Sequence, residues 1–106
     1  MNNNLTNGVK KYAMSMGANL VGIAPVERFE NAPVMMSPKG IMPTATNVIV
    51  CAIHHPDGAI ELGGEEHPQV IGPYGIQYIM NTKLDYLAYH IAAYLTNNGY
   101  DAVPIA

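Results

Sequence analysis

Two adjacent histidines, His54 and His55, follow the strand-like run "VIVCAI", and behind them come Asp57, Glu61, Glu65, Glu66 and His67. Imidazoles and carboxylates are the donors that zinc and iron accept. His54, His55, Glu61 and His67 therefore have the chemistry for a small metal-dependent enzyme. Their spacing argues against it. Neighbours in an extended chain point to opposite faces, so one ion does not readily take both His54 and His55. No HExxH-type spacing joins them to His67. The sequence accordingly assigns no metal ligand. It favours a solvated loop at a strand end, which is where α/β sheets place ligands, with His54 and His55 as candidate ligand-binding residues.

A second group lies in "GPYGIQYIMNTKLDYLAYH", where Tyr74, Tyr78, Tyr86, Tyr89 and Tyr94 crowd one helix and its entry. A phenol can donate a proton, and a helix start offers free N–H groups to an anion. Tyr74 and Tyr78, at the Gly-Pro-Tyr-Gly turn, are the candidate proton donors. Tyr86, Tyr89 and Tyr94 read as helix flanks, and His90 as a half-buried helix histidine. Cys51 is the only cysteine. Inside an apolar run it reads as a small buried hydrophobe, and alone it makes no internal disulfide, thiolate zinc site or cluster ligand set. Gly17 and Gly22 flank a strand without the turn spacing of a dinucleotide fingerprint. No phosphate loop and no nucleophile elbow is present.

The elements that must carry these residues follow from periodicity. Leu5, Val9, Tyr12, Ala13 and Met16 have helical spacing, so a helix is expected over about 4–16, closed by Gly17. "ANLVGIAP" reads as a buried strand stopped by Pro25. Residues 26–46, rich in proline and glycine, read as a long loop with one helical turn near Val26 to Phe29. "NVIVCAI" is apolar on both faces, which predicts a central strand covered on both sides. Residues 54–75 are turn-rich. Ile76, Met80, Leu84, Leu87, Ala88, Ile91 and Leu95 form one stripe of a helix that "NNG" ends at Asn97 to Gly99. "YDAVPIA" reads as a last strand, placed at an edge by Pro104. About three strands and two main helices imply an α+β (α/β sandwich) fold in a single domain over 1–106.

Bulk composition narrows the partners. Apolar residues make up 49 % of the 106 residues and charged residues only 12 %, against about a quarter in an average domain. A surface this short of charge is expected to lie partly against something else, either a second copy or another chain. The net charge is −3, and Lys10-Lys11 is the only basic pair, so nucleic acid is not expected as a partner. No apolar run has the length of a membrane span, and "MNNNLTNGVKK" lacks the apolar core of a signal peptide. The cytoplasm is the expected compartment. The strand that runs to Ala106 without a polar tail suggests a polypeptide that continues.

Three pieces in this order, "MGANLVGIAPVERF", "IMPTATNVIVCAIHHP" and "YGIQYIMNTKLDYLAYHIAAYLTNNGYDAVPIA", resemble the amino-terminal region of the epoxyqueuosine reductase and reductive dehalogenase-like iron–sulfur corrinoid reductases. The likeness runs from about Met16 to Ala106. It implies a fragment of a nitroreductase-like cobalamin-binding domain, with 4Fe-4S clusters and cobalamin held by the full-length protein and none by this chain alone. It also implies that the family's proton-donating acid falls at Gln77, which cannot donate in the same way, and leaves Tyr74 or Tyr78 as substitutes. The expectation is an amino-terminal portion of such a reductase, inactive alone, whose partner is the remainder of the chain or a separate subunit. The alternative is a non-enzymatic assembly module that self-associates or docks on an iron–sulfur subunit.

Overall fold

A computed structural model describes residues 3–58 and 75–105. Helix α1 spans Asn3–Ser15 and strand β1 spans Leu20–Pro25. Two single 3-10 turns follow, Val26–Phe29 and Val34–Met36, and then a short helix α2, Pro38–Ile41. Strand β2 is Asn47–Ala52, and the long helix α3 is Gly75–Asn97. The described part is a small α+β domain with three helices and one two-stranded antiparallel sheet.

Both long helices stop at glycine. Gly17 and Gly99 hold φ of 110° and 87°, a region that a Cβ makes costly. The two helices supply the core. Val9 and Ala13 of α1 and Leu87, Ile91 and Leu95 of α3 are buried together with Ala18. Their spacing of three to four residues puts each set on one helical stripe. Tyr12 stacks on Tyr94 across the helix pair, with ring centroids 4.6 Å apart and planes 18° from parallel. Gly8 permits this approach, since a Cβ there would meet the Tyr94 hydroxyl at 2.8 Å.

The sheet lies on these helices by one face. The register pairs Val21 with Cys51 and Ile23 with Ile49, and all four side chains pack against the helical core. The pairs on the other face are Leu20–Ala52, Gly22–Val50 and Ala24–Val48. That face is open, with Leu20 71 % and Val50 60 % exposed.

Three expectations are corrected here. β2 is not a strand covered on both sides, and β1 is not a buried one: among the described residues they pair only with each other and bury one face. The third strand is absent among the described residues, because Tyr100–Ile105 makes no ladder. Pro104 lacks a donor, and the segment lies across a groove from β2 instead of beside it. Segment 26–46 is not a loop with a single turn. It holds the expected turn at Val26–Phe29 and two further helical pieces, the second started by Ser37, whose Oγ accepts from Lys39 N–H at 3.4 Å. Ser37 followed by Pro38 is an N-cap followed by the residue best suited to a first helical position.

Candidate functional site

The histidines leave the end of β2, as expected. Asn19, just before β1, fastens that end: its N–H donates to the Ala52 carbonyl at 2.9 Å, and its Oδ1 accepts the His54 N–H at 2.7 Å. The His54 ring then meets Asp57, with Nε2 to Oδ1 at 3.0 Å. This pair is solvated on both sides, so it orients the ring without enclosing a site. His55 is exposed. Asn19 and Asp57 are contacts that periodicity does not disclose. The signal for Asn19 was a lone polar residue between a left-handed glycine turn and an apolar strand.

At the start of α3, Gln77 is exposed and Tyr78 is 79 % exposed. Neither makes a contact with His54 or His55 among the described residues. Tyr74, Glu61 and His67 lie outside the described residues. Among the described residues no group of three or more histidines, cysteines or carboxylates could hold a metal ion, and no helix is long and apolar enough to cross a membrane.

The large concavity is elsewhere. A groove of about 1220 Å³ runs between β2, one flank of α3, the 35–46 segment and Tyr100–Ile105. Its walls are mainly apolar: Met35, Met42, Ile49, Leu84, Ala88 and Val103 are among them, with Asp85 and Asp101 as the charged groups among the described residues. None of His54, His55, Gln77 and Tyr78 lines it. The methionines supply soft, adaptable walls. The run "PVMMSPKGIMP" was legible as methionine-rich, but its place opposite β2 is a tertiary fact.

The groove follows a strand edge that is unpaired among the described residues. Consecutive residues Asn47 to Cys51 line it, as only an edge can arrange. Val26 N–H donates to the Thr46 carbonyl at 3.0 Å, in phase with the Pro25–Asn47 register. In an antiparallel ladder the bonded residues alternate. Val48, Val50 and Ala52 thus turn their backbone toward β1, while Asn47, Ile49 and Cys51 turn theirs outward. No hydrogen bond reaches those outward groups among the described residues. Pro25 fits the same phase on β1, since its missing N–H falls on the outer row.

Cys51 sits on this edge, half-buried, and burial pushes its thiol up from the ordinary value. A raised thiol holds little thiolate at neutral pH, the opposite of an activated nucleophile. The donor set does not fit a 4Fe-4S cluster, which takes several thiolates where this chain has one. Nor does the groove offer an imidazole to cobalt among the described residues, since none of His54, His55 and His90 lines it.

Compared with known proteins, the sequence matches no family model, no curated protein and no solved structure.

Proposed function

We propose that this chain is an assembly unit of a corrinoid- and iron–sulfur-dependent reductase-like protein, contributing a sheet edge and an apolar groove to a larger body and turning over no substrate alone. The resemblance of its three sequence pieces supplies the family. The observation that supports an assembly role is the separation of chemistry from concavity: the candidate residues His54, His55, Gln77 and Tyr78 stand on open surface, while the groove is apolar. Catalysis needs reacting groups held together where water is excluded. Binding another polypeptide needs apolar surface and unmet hydrogen bonds, and the groove has both.

In this reading the nitroreductase-like domain is completed by polypeptide packed against the open face of the sheet, and cobalamin and the clusters belong to that remainder. We assign the chain to the cytoplasm, where a lone thiol stays reduced.

Titrating the purified chain with hydroxocobalamin tests the assignment. The expected result is an unchanged visible spectrum and no retention of cobalamin on equilibrium dialysis. A stable stoichiometric complex with a shifted spectrum would mean that this chain holds the cofactor itself, and the assembly reading would be lost.

A further inference from the structure

We propose that the groove beside β2 is a slot for one extended strand of another polypeptide, a segment that alternates apolar side chains and carries lysine or arginine at its ends. The proposal rests on the assembly reading above and names the chemistry of the partner.

The walls set the shape. Ile49 and Cys51 of β2 pack on the helical core, and so does Ala102 of the Tyr100–Ile105 segment. Two lengths of chain thus rest on the same helix pair, with the groove between them. No hydrogen bond joins them among the described residues. Along α3 the groove is lined by Leu84, Ala88 and Ala92, whose spacing puts them on one flank of the helix. Two of these are alanine, which leaves depth for the side chains of an inserted strand.

Size selects a single strand. A residue in a sheet takes about 3.3 Å along the strand, about 4.8 Å across it and about 10 Å between layers, or about 160 Å³. A strand of the length of β2, 6 residues, therefore fills about 950 Å³. The groove holds about 1220 Å³, enough for one such strand and too little for two.

Charge selects the partner. Asp85 and Asp101 line the groove and are exposed, so they stand at its rim. Neither is ion-paired among the described residues, and no lysine, arginine or histidine among them lines the groove. An entering strand with cations at its ends gains from these carboxylates, and one with anions is repelled. This chain does not bring such a strand. β1 is "LVGIAP" and β2 is "NVIVCA", both without charge, and residues 59–74 hold three glutamates and neither lysine nor arginine. The backbone contacts follow from the register: the outward N–H and C=O groups of Asn47, Ile49 and Cys51 bond the inserted strand, as in strand addition to a sheet edge.

Fluorescence anisotropy of the labelled peptide Lys-Val-Thr-Val-Thr-Val-Lys with the full chain tests this. The peptide is expected to bind saturably, one per chain, and its counterpart with glutamate at both ends to bind about fivefold or more weakly. Asp85→Asn combined with Asp101→Asn should remove that difference, and because both sites are exposed the fold should be kept. Amide exchange is the second measurement. On binding, the N–H groups of Ile49 and Cys51 should slow by about tenfold or more, and far more than those of Val48 and Val50, which already bond to β1. Absence of saturable binding overturns the proposal. So do equal affinities for the two peptides, or slowing no greater at Ile49 and Cys51 than at Val48 and Val50. A chain that sediments as a dimer and is dissociated by the peptide gives the groove to a second copy, which also overturns it. The cobalamin titration separates the two claims: a chain that ignores both peptide and cobalamin loses only the strand partner, and one that binds the peptide as expected but also holds cobalamin loses only the assembly reading.

Discussion

The two faces of the β1–β2 pair are made of the same kinds of residue and meet opposite fates. Val21, Ile23, Ile49 and Cys51 lie on the helices and join the core. Leu20 and Val50 stand exposed on the other side, with Val48 only half-buried beside them. Residue type therefore does not decide burial here. The supply of partners does, because apolar area is stabilising only when another surface removes it from water. Substitutions on the packed side and on the open side should consequently differ by several-fold in their effect on stability.

The largest effect is expected at Leu87, 3 % exposed where α3 crosses α1. Leu87→Ala removes buried methyl groups and leaves a cavity, at a cost of about 2–5 kcal/mol. In a domain of this size that is a large share of the total. Urea unfolding followed by circular dichroism should show a midpoint far below that of the parent, or no folded baseline. A loss under about 1 kcal/mol would mean that the helix pair is less tightly packed than its burial implies.

Asn19 lies on the seam between the two sides and should give an intermediate effect. Asn19→Ala keeps the backbone bond to Ala52 but removes the acceptor for His54 N–H. That contact is exposed, so the loss is expected to be about 0.5–1 kcal/mol. The same variant should loosen residues after β2, seen as faster amide exchange at His54 with Val50 unchanged. Exchange that rises equally along β2 would show that Asn19 holds the strand itself.

Much of the packed side was legible in the sequence. The stripes Val9–Ala13 and Leu87–Ile91–Leu95 follow a helical period, and glycine marks both helix ends, because these features are local. The helix bounds came within one residue, Asn3–Ser15 against 4–16 and Gly75–Asn97 against 76–97. The open side was misread for a physical reason. A run apolar on both faces, as in "NVIVCAI", signals a strand meant to be covered twice, and the sequence cannot say whether this chain provides the cover. "YDAVPIA" has strand composition, but pairing is a long-range property that Tyr100–Ile105 does not realise. Among the candidate site residues, the position of His54 at a strand end was legible. Its partners Asn19 and Asp57 were not, since the first lies 35 residues away.

The smallest effect tests the open side directly. Met35 is 91 % exposed on the wall of the groove. Its side chain has almost no packing to lose, so Met35→Ser should change stability by about 0.5 kcal/mol or less in either direction. Measured by urea unfolding at a concentration low enough to keep the chain monomeric, the variant should overlay the parent. A loss above about 1 kcal/mol would show that the 35–46 wall closes on β2 in solution. The groove would then be a second core in the monomer, and the contrast between the two sides of the sheet would disappear.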